Sequence, residues 1–79
     1  MTQLLYFHCA NGDDVIVDHR GTQVGDVHEA REHAVALARS IVTAAFGIHD
    51  FSDWLVYVGD EDNEEVLSVP FSSVLPTVH

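Results

Sequence analysis

The sequence predicts an α+β fold, a four-stranded antiparallel sheet with one helix packed on one face, in the order β-β-α-β-β. Three observations predict it. Residues 27–46 repeat apolar side chains at three- and four-residue steps, the signature of a helix with one buried face. Two strand-like segments joined through Asn11-Gly12 precede that stretch, and two more, separated by "DEDNE", follow it. No internal repeat, linker or low-complexity stretch interrupts the chain, so residues 1–79 read as a single small domain.

The first segment, "QLLYFHC", is aromatic and aliphatic and ends at the turn signal Asn11-Gly12, after which "VIVD" follows. Together they predict a hairpin of strand 3–9 with strand 14–18. Side chains alternate along a strand, so Leu5, Phe7 and Cys9 share one face, and Tyr6 and His8 the other. Gly21 and Gly25 bracket a loop. Asp26 then opens the helix with an Asp-x-x-Glu capping box to Glu29, in which each side chain can satisfy an orphan amide. Val27, Ala30, Ala34, Leu37, Ala38, Ile41 and Ala45 form the predicted apolar stripe, and Gly47 the stop of a helix over 27–46.

"DWLVYVG" and "EVLSVPF" supply the last two strands, with Asn63 in the turn because it tolerates positive φ. Pro70 cannot donate to a sheet ladder, so the final strand is an edge or ends there. No element is predicted for the tail "SSVLPTVH".

One helix covers one face of the sheet. The opposite face is expected to carry Tyr6, His8, Ile16 and Ser68, plus either Leu55 and Tyr57 or Trp54 and Val56. That is more apolar surface than a water-facing sheet needs, which points to a protein partner or to a homodimer through the open face. Tyr6, His8 and Tyr57 are the expected partner-binding residues.

Composition narrows the function classes. Lys+Arg total 3 against 13 Asp+Glu, a formal charge of -10, with no lysine. Arg20 falls in a loop and Arg31 and Arg39 in the helix, too scattered to neutralise a phosphate backbone; nucleic acid and anionic membranes are both disfavoured. A basic protein is the electrostatically natural partner, with acidity that serves solubility alone as the plainer reading. The single cysteine, Cys9, forbids an internal disulfide and fits a reducing compartment. "MTQLLYFHCANGDD" has no basic n-region and too short an apolar run for a signal peptide or a membrane span, so the expected location is cytoplasmic.

The motifs that suggest chemistry read more plainly as structure. "HEAREH" at residues 28–33 is one residue longer than the H-E-x-x-H of zinc proteases. At about 100° per residue, His28 and His33 stand roughly 140° apart on a regular helix, where four-residue spacing would bring them to one face. A π-bulge could realign them, which keeps a small metal-binding protein or metalloenzyme using His28 and His33 as a minor alternative. No metal or other cofactor is expected. The acidic run from Asp60 fails the calcium-loop pattern, because its position 6 is Glu65 and its position 12 is Phe71; it reads as a solvated hairpin turn.

Adjacent strand residues His8 and Cys9 point to opposite faces and cannot form a dyad. His19 could approach Cys9 across the hairpin, but nothing supplies an oxyanion hole, and Cys9 reads as a small buried hydrophobe. No phosphate-binding loop, nucleophile elbow or dinucleotide fingerprint occurs, so no enzymatic activity is expected. The 6 histidines admit a pH sensor, with stray surface histidine as the plainer reading.

Several separated residues resemble a known family. They are Tyr6-Phe7-His8, then Asp18 and Gly21, then Asp26 with Ala30 and Ala34, then Val58-Gly59-Asp60-Glu61, and last Val66-Leu67-Ser68-Val69-Pro70-Phe71. The pattern resembles a family of short uncharacterised proteins, mostly from soil and plant-associated alphaproteobacteria, grouped as a domain of unknown function, over roughly residues 4–75. Gly25 stands where that pattern has proline, and Asn63 where it has a turn glycine; loops tolerate both. The resemblance implies no activity, cofactor or catalytic residue. A looser likeness is to the HicB type of antitoxin, which binds a basic toxin, but the signature before the helix and any DNA-binding segment are missing. The expectation is a non-enzymatic protein-interaction or regulatory module.

Overall fold

The computed structural model describes residues 1–44 and 51–74. Its elements are β1 (Gln3–Ala10), β2 (Val15–Ile16), β3 (Thr22–Val24), α1 (Val27–Ala44), β4 (Leu55–Gly59) and β5 (Glu65–Pro70), followed by a 3-10 turn at Phe71–Ser73. Expected helix residue Ala45, the expected stop at Gly47 and most of the tail lie outside the described residues.

The α+β class and the antiparallel sheet hold, but the sheet has five strands rather than four. β1 is its backbone: β4 pairs with residues 6–10, β2 with 9–10 and β3 with 3–5, and β5 extends the sheet beyond β4. The expected strand 14–18 is reduced to Val15–Ile16, and the expected loop between Gly21 and Gly25 contains β3. Both changes have one cause. Leaving β2, the chain turns so that Asp18 faces β1, and it rejoins the same strand one stretch further on, at Thr22.

The turns form as their residues dictate. Asn11 Oδ1 accepts the backbone N–H groups of Asp13 and Asp14 at 2.8 and 2.6 Å, closing the first hairpin. Asp26 Oδ1 accepts the Glu29 N–H at 2.8 Å, the expected helix cap. Glu29 returns to the N–H of Gly25, at 3.1 Å, one residue before its reciprocal capping-box partner. Asn63 sits at φ 63°, in the left-handed region its turn requires. β5 ends at Pro70 on the sheet's edge, as a residue without an N–H demands.

The core lies between α1 and one face of the sheet. Pairing sets the faces: Phe7 lies opposite Val58, Cys9 opposite Val56, and these opposite Leu67 and Val69, all buried. The helix answers with Ala30, Ala34 and Ala38, each at 0% exposure, and Val42. Buried alanines at four-residue steps let the helix backbone approach the sheet closely. The stripe is therefore narrower than expected: Leu37 and Ile41 are half-buried against it, and Val27 is 58% exposed. One end of the core is closed by an aromatic cluster, with Phe71 5.5 Å from Phe51 and 6.2 Å from Trp54 between ring centroids.

Candidate functional site

The sheet face opposite α1 carries an aromatic row. Tyr57 lies directly across from His8 in the β1–β4 ladder, and Val56 across from buried Cys9, which places Leu55 and Tyr57 rather than Trp54 and Val56 on the open side. The rings of Tyr6 and His8 are nearly parallel with centroids 6.3 Å apart, and His8 is 5.9 Å from Tyr57. All three are half-buried. Ser68 pairs with Tyr57 and continues this face. Ile16 does not join it: it lies opposite Cys9, so it belongs to the helix side. The hairpin register, set by the Asn11 turn, decides this.

His8 is held from behind. Its Nδ1 accepts the backbone N–H of Asp18 at 3.0 Å, while Asp18 Oδ2 accepts the N–H of Phe7 at 3.1 Å. Asp18 Oδ1 accepts from Arg20 and Gly21 at 3.0 and 3.2 Å. Burial pushes the Asp18 carboxyl up, but the N–H donors of Phe7, Arg20 and Gly21, with His8 beside them, outweigh it and hold the group below its ordinary value. Asp18 is thus a fastener that orients His8 and fixes the path from β2 to β3. The family resemblance had marked Asp18, but no spacing rule identified its role.

Behind β2 lies a second feature, a cleft of about 290 Å³. Phe7 and Cys9 floor it, Ile16, Val17 and Asp18 form one wall, and His33, Leu37 and Ile41 form the other. The His33 ring stands edge-on to Phe7 at 4.5 Å. The histidine that shares a cleft with Cys9 is therefore His33, on the helix, rather than His19. Burial, and then the Asp18 charge, push the Cys9 thiol above its ordinary value, the opposite of what a nucleophile needs.

His28 and His33 do not converge. His28 Nε2 lies 3.1 Å from Glu32 on the exposed surface of the helix, while His33 faces Phe7. Among the described residues no group of three His, Cys, Asp or Glu is placed to hold a metal ion. The acidic run is a turn whose leading carboxylate is occupied: Asp60 Oδ1 accepts the N–H groups of Asp62 and Glu64 at 2.9 and 3.0 Å. Among the described residues no helix is long and apolar enough to cross a membrane.

Compared with known families, residues 4–72 match the profile of one described as a domain of unknown function (DUF6894). No curated protein and no solved structure matches.

Proposed function

The chain belongs to the DUF6894 family, of unknown function, and we propose that it acts without catalysis, as a cytoplasmic regulatory or adaptor module that binds a basic protein. The observation that carries this reading is the half-exposed row Tyr6–His8–Tyr57 on the open sheet face of a chain with formal charge -10. Aromatic rings with polar tips are the side chains that give most contact area for least lost rotamer freedom, and they concentrate at protein interfaces. The Asp18–His8 hydrogen bond holds the central ring in place before any partner arrives, which lowers the entropy lost on docking. A surface of acidic charge around such a row selects a basic partner and speeds its approach.

The test is a native mass spectrum of the protein isolated from its own host, compared with a variant carrying Tyr6→Ser and Tyr57→Ser. The expected result is a defined complex with a basic protein that the double variant loses while keeping its helical circular dichroism. A bare monomer in both samples, or a complex indifferent to the double substitution, would overturn the aromatic face as the docking site. A homodimer would replace the basic partner with a second copy, and a small toxin in fixed ratio would turn the reading toward a HicB-like antitoxin.

A further inference from the structure

The outer edge of β2 offers a docking site of a different kind. Leu5, Phe7 and Cys9 alternate along β1, so their backbone N–H and C=O groups all point to one edge. The Phe7 N–H meets Asp18 there and Cys9 pairs with Ile16, so Ile16 turns its own backbone groups inward. By the same alternation Val15 turns its own outward, to the side of β2 where no strand pairs among the described residues, and Val17 follows just past the end of the strand. Their side chains are exposed as well: Val15 at 59%, Ile16 at 60% and Val17 at 47%.

Edge strands are ordinarily protected by lysine, proline, a bulge or a covering loop, because open backbone groups recruit another strand. Here three consecutive β-branched apolar residues stand at the edge without lysine or proline among them. Ile16 lies on the helix side, and the 290 Å³ cleft runs inward from it toward α1. Acidic residues flank the run, Asp13 and Asp14 before it and Asp18 after it.

We infer that this edge takes up an extended segment of a basic protein by strand addition, with alternate apolar side chains over the cleft and Lys or Arg beside the exposed Asp13 and Asp14. The inference rests on the interaction-module reading and gives it a second surface and a form for the partner. A second copy of the chain is the poorer occupant. Self-pairing would bring the exposed Asp13 and Asp14 of both copies to one seam, and like charges gathered there oppose a strand pair. Each copy would also bring a charge of -10.

The experiment titrates the ¹⁵N-labelled full chain with two capped synthetic peptides at up to millimolar concentration. Both alternate valine and threonine at the centre; one is flanked by lysines and the other by glutamates. The lysine-flanked peptide should protect the Val15 amide from exchange and shift Ile16 and Val17. It should bind about tenfold tighter than its twin at low salt, a margin that narrows as salt rises. Ile16→Lys should abolish binding while leaving the circular dichroism unchanged. Three results would overturn the inference: no shift with either peptide, equal binding of both, or a dimer that protects Val15 without peptide. Shifts confined to Tyr6, His8 and Tyr57 would overturn it too, yet leave the broader interaction reading standing.

Discussion

The carboxylate of Asp18 accepts the backbone N–H of Phe7 at 3.1 Å, at the position on the edge of β1 that neither β2 nor β3 reaches. A side chain there does what a strand backbone would otherwise do. It satisfies a buried residue's amide, and its second oxygen gathers the loop that carries the chain from β2 to β3.

Asp18→Ala should therefore cost about 1–3 kcal/mol, the penalty of leaving such donors unsatisfied, read as a lowered urea midpoint with faster exchange at Phe7. The pH dependence has a definite sign. The folded carboxyl titrates below its ordinary value, through hydrogen bonds that outweigh its burial. The stability it contributes is present above the unfolded pKa, about 4, and is lost as pH falls through the folded one. The gap in stability between wild type and Asp18→Ala should be full near about pH 7 and close toward about pH 2. A gap that stays constant over that range would show that the charged form has no special role.

Much of the fold was legible because its signals are local. Asp26, Glu29 and the four-residue alanine steps specify α1 within a few turns of chain, and Asn11, Asn63 and Pro70 mark their turns and edge by backbone chemistry alone. β3 was not legible: Thr22-Gln23-Val24 is too short for a periodic signal, and Gly21 and Gly25 read as loop punctuation. β2 was overextended because Val17 continues the β-branched run of Val15 and Ile16, while the bond that ends the strand joins residues eleven positions apart. The aromatic row followed from alternation in β1, but choosing Tyr57 over Trp54 needed the β1–β4 register, and Ile16 changed sides for the same reason. The cleft beside β2 requires the helix and the edge to meet in space, which no sequence window contains.

The close approach of α1 to the sheet makes the buried alanines intolerant of size. Ala34 is at 0% exposure beneath the helix, facing the core. Ala34→Leu should destabilise by about 1–3 kcal/mol through overpacking, although leucine is itself a good helix former. A solvent-exposed control on the same helix, Ala36→Leu, should change stability by less than about 0.5 kcal/mol. Equal effects in thermal melts would mean that the helix does not pack as closely as its alanines indicate.

Cys9 should be a slow thiol. Burial, followed by the Asp18 charge, raises its pKa, so the reactive thiolate is scarce near neutrality and sterically guarded when formed. Alkylation by iodoacetamide near about pH 7.5 should proceed far more slowly in the folded chain than in denaturant. Asp18→Asn should accelerate the folded reaction by removing the neighbouring negative charge. A folded rate equal to the unfolded one would place the thiol in solvent.

Gly21 and Asn63 both take positive φ, 75° and 63°, but their surroundings differ. A side chain at Asn63 extends from an exposed turn, so Asn63→Ala should lose only the asparagine's tolerance of the left-handed region, about 1 kcal/mol, and Asn63→Gly should be neutral or mildly stabilising. At Gly21 a Cβ would stand 2.8 Å from Leu4 Cδ1 and 3.1 Å from Tyr6 Cε1. Leu4 can swing aside because the clash is with the end of its side chain, but Tyr6 must then shift within the aromatic row. Gly21→Ala should therefore cost more than Asn63→Ala, about 2 kcal/mol, and should move the ring resonances of Tyr6 and His8 in an NMR spectrum. A loss of stability without those shifts would mean that backbone strain alone is responsible, and that the Gly21 loop does not set the geometry of the open face.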